Sequence, residues 1–172
     1  MESRAKLLGH PIHPMLINFP LGLLPTAVIF DIVHAATGNV MWAQASFLMI
    51  AAGIVGALAA AIFGLVDWLA IPSRTRAKRI GAYHSIGNVI VVVLFAASGI
   101  LRYRAAAIPS SLALVLVFVG LALAVVTGWL GGELVDRLGV GVADGANLNA
   151  TSSLSRHGDD GVVHGTPHPA AR

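Results

Sequence analysis

Histidine is the residue type in this sequence best suited to bind a metal or a cofactor. His10 and His13 stand in the sequence GHPIHP, each directly before a proline. Proline restricts the preceding residue to extended backbone, so these two histidines are expected on an irregular segment. His84 and Asn88 are four positions apart, the spacing of one helix face. Imidazole binds haem iron as well as zinc, copper, nickel and iron ions.

A few carboxylates could supply oxygen ligands, and methionine is the only residue type in the chain that could supply a sulfur ligand. The chain contains no cysteine, which excludes disulfides, thiolate nucleophiles, cysteine-ligated iron–sulfur clusters and thioether-linked haem. The candidate metal ligands are therefore imidazoles and carboxylates: His10, His13, Asp67, His84 and Glu133.

The elements that carry these residues are predicted to be membrane-spanning helices. Of the 172 residues, 56% are hydrophobic and only 11% are charged, and the mean hydropathy is +0.81. A helix needs about 20 apolar residues to cross a hydrocarbon core of about 30 Å. Four continuously apolar stretches qualify, at about 14–36, 43–69, 84–101 and 111–130. The sequence therefore predicts an all-α integral-membrane four-helix bundle over residues 1–142, because a barrel would show alternating hydrophobicity.

The composition changes abruptly after the last predicted span. Residues 143–172 contain too few apolar side chains to offset the entropy of ordering the chain. We predict a disordered cytoplasmic tail there, and we treat its three histidines as incidental: His157, His164 and His168.

Positive charge predicts the orientation of the bundle, because Lys and Arg near helix ends are retained in the cytoplasm. With four spans, the N-terminus, the middle loop and the C-terminus share one side. Only Arg102 and Arg104 lie opposite, whereas the shared side carries seven positive residues: Arg4, Lys6, Arg74, Arg76, Lys78, Arg79 and Arg137. We expect both termini in the cytoplasm. A cleaved signal peptide is disfavoured because Asn18, Pro20 and Asp31 interrupt the first apolar run.

This orientation places one end of every span on the cytoplasmic side. Polar groups at membrane depth are costly and usually face the bundle interior. We therefore predict that one layer unites residues from all four spans: His10, His13, Asn18, Asp67, Trp68, His84, Asn88, Trp129 and Glu133.

The same residues also have structural explanations. The two His-Pro pairs could only cap the first helix, and Asp67 could pair with Arg74 or Arg76 at a helix end. Asp31 and His34, at the opposite end, are expected to bond to each other or to a neighbouring helix. The coincidence of three histidines and two carboxylates at one end keeps a functional explanation open.

Small residues predict close helix packing in two series with a four-residue spacing. The series are Ala52, Gly56, Ala60 and Gly64, and Gly120, Ala124, Gly128 and Gly132.

The sequence also contains a weak internal repeat: HPMLIN and HSIGN open the first and third spans, and GLVDWL and TGWLGG close the second and fourth. The repeat predicts that the first two spans and the last two spans form two helical hairpins, related by a pseudo-twofold axis. His13 and His84 would then occupy equivalent positions that face each other. Pro20 and Pro25 predict a kink beside Asn18.

Four motifs, in this order, resemble a family of bacterial membrane proteins known as domain of unknown function 2231. The motifs are GHPIHPMLINFPLG, GLVDWL, AKRIGAYHSIGN and GWLGGELVDRLGVGV, and the resemblance covers about residues 7–143. It implies four transmembrane helices in the bacterial inner membrane and no established activity. Some members are fused to cytochrome-like or iron–sulfur modules, which implies electron transfer. The family motif residues are His10, His13, Asp67, His84 and Glu133.

Three classes of function remain open from the sequence. The first is an electron-transfer module that binds b-type haem between His13 (or His10) and His84, beside Asn88, with cations for the haem propionates: Arg74, Arg76, Lys78 and Arg79. The second is a proton site or a zinc, copper, nickel or iron site at the ligands named above. The third is a structural or assembly subunit without a cofactor.

The expected partners follow from the same observations. They are the lipid bilayer and either a redox partner or a second copy of the chain. The net charge of +3 is explained by topology and anionic lipid, and nothing indicates nucleic-acid binding. No enzyme motif is found, so a catalytic activity of its own is not expected.

Overall fold

The computed structural model describes residues 1–103, 105 and 107–154. The first membrane span consists of α1 (Ile12–Leu16) and α2 (Asn18–Thr37). The others are α3 (Val40–Ala70), α4 (Arg76–Tyr103) and α5 (Ser111–Gly132), which continues as a π-helical turn over Glu133–Arg137. All four spans are long and apolar enough to cross a membrane, which confirms the predicted fold.

Side-chain caps explain where the long helices begin. Asn39 Oδ1 accepts a hydrogen bond from Met41 N at 2.9 Å, and Ser110 Oγ accepts one from Ala113 N at 3.3 Å. Thr75 Oγ1 accepts from Lys78 N at 3.1 Å. This cap starts α4 at Arg76, eight residues before the predicted start at 84, so the charged sequence RAKR is helical.

The first span is interrupted where the prolines predicted it. Pro20 has no N–H to donate to the preceding turn. Accordingly α1 ends at Leu16, Ile17 stands between the two helices, and α2 begins at Asn18. The break lies beside Asn18, where a kink was predicted, but Ile17 keeps helical backbone angles and Ile17 N donates to His13 O at 3.1 Å. The first helix starts at Ile12, ahead of the predicted residue 14.

The packed face of each helix follows a repeat of 3.5 residues. Buried positions are spaced three, four or seven apart: Ala43, Ser46, Ile50, Gly53 and Ala60 in α3, and Ala113, Val117, Gly120 and Thr127 in α5. That spacing is typical of bundles with a small crossing angle. The central core is formed by all four spans: Leu24, Ala27, Val28, Ile50, Val91, Phe95 and Val117.

The predicted small-residue series are confirmed at Gly56, Ala60, Gly64 and Gly120 and are wrong at Ala52 and Gly128, which are exposed. A Cβ at Gly56 would lie 2.6 Å from Phe19 Cβ, and one at Gly120 would lie 2.8 Å from Phe95 Cε2, so both positions need glycine. No atom lies within 4 Å of such a Cβ at Gly128. The reason is geometric: a strict four-residue spacing rotates by about 40° per step around a helix of 3.6 residues per turn and leaves the interface.

The N-terminal residues form a small hairpin against the bundle end. Strand β1 (Lys6–Leu7) pairs antiparallel with β2 (His10–Pro11) across Leu8 and Gly9, whose φ angles are 51° and 85°. Ile12 N donates to Ala5 O at 2.9 Å and joins the hairpin to α1. Glycine suits this turn, whereas a positive φ at leucine is unusual.

After the π-helical turn the chain folds back onto the same end. Gly141 N donates to Met1 O at 2.9 Å, and residues 143–154 contain turns but neither helix nor strand. The predicted disorder of residues 155–172, the three tail histidines and Arg104 lie outside the described residues.

Candidate functional site

His13 lies on α1 and packs against α3. Its Nδ1 is 2.8 Å from the carbonyl oxygen of Ala60. One turn further along α3, a Cβ at Gly64 would lie only 2.9 Å from Cε1 and Nδ1 of this imidazole. The absence of a side chain at Gly64 therefore lets the half-buried ring rest directly on the helix backbone.

His84 repeats this arrangement in the second hairpin. Its Nδ1 is 2.9 Å from the carbonyl oxygen of Thr127 on α5, and a Cβ at Gly131 would lie 3.1 Å from its Cε1. In both hairpins a histidine bonds to a carbonyl four residues before a glycine on the next helix. The predicted equivalence of His13 and His84 is supported, with Gly64 matched by Gly131.

The hydrogen bonds determine the tautomer of both rings. A carbonyl oxygen only accepts, so Nδ1 of each neutral imidazole must carry the proton. Nε2 then carries the lone pair in both residues. Among the described residues, His13 Nε2 forms no hydrogen bond, whereas His84 Nε2 is 3.2 Å from Asn88 Nδ2.

Asn88 connects His84 to α5. Its Nδ2 donates to the His84 carbonyl at 2.9 Å, and its Oδ1 accepts from Thr127 Oγ1 at 3.1 Å. Asn18 follows His13 by five residues rather than four, and it instead donates to Met15 O at 3.3 Å on the exposed surface. We call His13, His84, Asn88 and Thr127 the histidine region.

The predicted single layer of polar residues does not form. Asn18 is exposed, and Trp129 is 66% exposed, so both lie on the outer surface rather than in the bundle interior. His10 Nε2 is 3.0 Å from Ser153 Oγ at the exposed hairpin. The sequence identified the correct end of the bundle but not which face of each helix points inward.

Both carboxylates at this end are bound to other partners. Asp67 accepts hydrogen bonds from Ser3 Oγ at 2.8 Å and from Arg4 N at 2.7 Å, so its expected pairing with Arg74 or Arg76 is wrong. The sequence analysis missed this contact because it assigned no secondary structure to the residues before the first span.

The other carboxylate, Glu133, accepts from Arg76 Nη2 at 2.6 Å. In the part of the chain that the structure describes, no group of three or more histidine, aspartate or glutamate side chains could hold a metal ion. The five candidate metal ligands are therefore not brought together.

The cations proposed for haem propionates divide into two kinds. Arg76 is occupied by Glu133, and Lys78 Nζ donates to Trp68 O at 2.6 Å while lying 4.0 Å from the centre of the Trp68 ring. The side chains of Arg74 and Arg79 form no hydrogen bond or ion pair with any other described residue.

A second buried polar group, which the sequence analysis missed, lies at the opposite end of the bundle. Arg102 donates to both carboxylate oxygens of Asp31 at 2.6 Å, and both side chains are 0% exposed. Arg102 also donates to Ser46 Oγ at 3.1 Å and to Ser98 Oγ at 3.0 Å. We call Asp31, Ser46, Ser98 and Arg102 the arginine cluster.

The arginine cluster corrects two predictions. Asp31 does not bond to His34, whose Nδ1 is 3.0 Å from Asn39 O; the alternative of a neighbouring helix is confirmed. Arg102 is not a free loop cation, because Asp31 neutralises it inside the bundle. One sequence signal could have identified the cluster: Ser98 and Arg102 share a helix face within an apolar run, at the end where Asp31 also lies.

Comparison with known proteins gives a family and nothing beyond it. The chain matches no curated protein and no solved structure. One family model, described as a predicted membrane protein (DUF2231), matches residues 9–144, which include all four spans and both buried polar groups. The protein is therefore a four-helix integral membrane protein that belongs to the family of domain of unknown function 2231.

Proposed function

We propose that the protein is a b-type haem-binding module for electron transfer, with His13 and His84 as the iron ligands. The observation that carries the proposal is the matched hydrogen bond of each Nδ1 to a helix carbonyl, at 2.8 Å and 2.9 Å. Histidines that bind metals usually donate their second ring N–H in this way, which fixes the ring and directs the lone pair of Nε2 to the metal.

The number of available ligands favours haem over a bare metal ion. A zinc or copper site built from protein alone needs three or four ligands, and no such group exists among the described residues. Haem iron takes four nitrogens from the porphyrin and needs only two axial ligands from the protein. The proposal takes these two ligands from the matching histidines of the two hairpins, since helices of a bundle often build such sites from facing side chains.

The residues of this chain would fix and insulate the group. Ala60 and Thr127 orient the imidazoles through their carbonyls, and Gly64 and Gly131 leave room for the rings. When bound, haem would supply one-electron redox chemistry. Arg76 would not meet its propionates, because Glu133 already binds that guanidinium.

Asn88 provides an internal test of the proposal. Its amide occupies His84 Nε2 at 3.2 Å, so the amide has to turn away before this nitrogen binds iron. Asn88→Ala removes that competing hydrogen bond, which is worth about 0.5–1.5 kcal/mol, and should raise haem affinity by about two- to tenfold. A purely structural Asn88 would instead lower thermal stability and leave haem binding unchanged.

The decisive experiment is a visible spectrum of the purified protein, made with ample haem and recorded before and after reduction. We expect haem absorption in the parent and its loss in His13→Ala and in His84→Ala. His34→Ala and His10→Ala are matched controls, because these rings bind Asn39 and Ser153 and should keep the spectrum.

A colourless parent, or full haem content in both ligand variants, would reject the proposal. The two imidazoles would then serve to fasten α1 to α3 and α4 to α5. Metal analysis of the same samples tests the zinc, copper, nickel and iron alternative.

We further propose that the protein lies in the bacterial inner membrane with the histidine end facing the cytoplasm. Removing Arg102 from the count of loop cations strengthens the charge asymmetry that supports this orientation. A reporter fused after Lys78 should be active in the cytoplasm; activity only on the outer side would reverse the orientation. A redox partner would then approach from the cytoplasm.

A further inference from the structure

We propose that the loop between α3 and α4 binds the phosphate group of an anionic phospholipid. A cavity of about 310 Å³ opens there and is lined by six residues: Trp68, Arg74, Thr75, Lys78, Arg79 and Ala82. Three of these are cations and none is a carboxylate. The lining therefore favours an anion and offers an aromatic surface beside it.

Two of the three cations are available to a ligand. Lys78 is held by the carbonyls of Trp68 and Leu69, at 2.6 Å and 3.4 Å, where it stabilises the end of α3. Arg74 and Arg79 are exposed and have no partner in the described part of the chain. Guanidinium groups match the geometry of phosphate oxygens, which they bind through paired N–H donors.

The surroundings of the cavity favour a phosphate carried by a lipid. The loop joins the ends of two membrane spans, so the cavity lies at the depth of the lipid headgroups. Trp68 is a residue type typical of that depth. Leu69 and Tyr83, on either side of the loop, are 63% and 56% exposed and offer apolar surface to acyl chains. Free phosphate shares the same oxyanion chemistry but gains nothing from that surface.

The test uses the full-length protein in a neutral detergent and native mass spectrometry with added phosphatidylglycerol. Arg74→Gln/Arg79→Gln should weaken phosphatidylglycerol binding by about tenfold, because two charge-assisted contacts are lost. Arg4→Gln/Arg137→Gln is the matched control: it removes the same charge at the same bundle end, from exposed residues outside the cavity. It should keep most of the binding, and phosphatidylcholine should bind weakly to every variant.

Four outcomes would overturn the proposal. Equal losses in the two double variants would show that binding follows total charge, and no loss in Arg74→Gln/Arg79→Gln would show that the cavity is not used. Displacement of the lipid by millimolar inorganic phosphate would assign the cavity to the free ion. Loss of haem absorption in Arg74→Gln/Arg79→Gln, with His34→Ala unaffected, would assign the arginines to the propionates.

Discussion

The two buried polar regions of this protein differ in how completely their hydrogen bonds are satisfied. In the arginine cluster, a full positive charge meets a full negative charge, and the serines take up further N–H groups of the guanidinium. In the histidine region each ring bonds through Nδ1 to a backbone carbonyl, and Nε2 lies beside Asn88 in His84 but has no described partner in His13. The two regions lie 18 positions apart on α4, about 27 Å at 1.5 Å per residue.

This difference in hydrogen bonding suits the two regions to different roles. A buried ion pair whose donors are all occupied has no capacity for a ligand, and its loss exposes an uncompensated charge to a low dielectric. A ring fixed at one nitrogen and open at the other is pre-organised for a ligand. The arginine cluster is therefore suited to stabilising the fold, and the proposed haem site depends on the histidine region.

The largest expected effect comes from the arginine cluster. Arg102→Ala should lower the free energy of unfolding in detergent by about 3–5 kcal/mol, because Asp31 is left buried and unpaired. The double variant Asp31→Leu/Arg102→Met should lose much less, since neither charge remains. Chemical denaturation measures the free energy of unfolding of both variants. If Arg102→Ala is as stable as the parent, the arginine cluster does not stabilise the fold and the two regions do not differ in this respect.

An intermediate effect is expected in the apolar core between the two regions. Gly120→Leu should cost about 1–3 kcal/mol by overpacking, because its new side chain meets the Phe95 ring. Gly128→Leu, on the same helix, meets no atom within 4 Å of its Cβ and should unfold like the parent. If the two variants melt at the same temperature in detergent, the assignment of the packed face is wrong.

The smallest effect concerns the hairpin that covers the histidine end. Hydrogen bonding to Lys6, and then to the backbone N–H of Asp144, holds the pKa of Glu2 below its ordinary value near 4.5. A lowered pKa means that the contact stabilises the fold fully above pH 4.5 and is lost as the pH falls through the lowered pKa. The protection of the Asp144 amide from hydrogen exchange, taken relative to an unstructured amide at the same pH, should therefore fall at acidic pH, and Glu2→Gln should abolish that fall. An unchanged pH profile in Glu2→Gln would show that Glu2 does not hold this segment.

The fold could be predicted because span length and continuous hydrophobicity depend on composition alone. The equivalence of His13 and His84 was also predictable, since HPMLIN and HSIGN preserve it in the sequence. Their acceptors were not predictable: the carbonyls of Ala60 and Thr127 belong to the backbone, which every residue has. Asp67 was assigned to arginines because nothing in the first residues indicated a folded hairpin; Leu8 even adopts a positive φ where turn chemistry favours glycine.

The ion pair of the arginine cluster also constrains how the protein is made. Asp31 leaves the ribosome 71 residues before Arg102, so the first two spans enter the membrane while this carboxylate has no cation. A lone carboxylate in hydrocarbon is unfavourable, whereas the completed pair is tolerated. The first hairpin can therefore settle into lipid only when α4 arrives. We therefore expect stable insertion of the first hairpin to depend on α4, and a chain truncated before Arg102 should be retained at the insertion machinery or degraded.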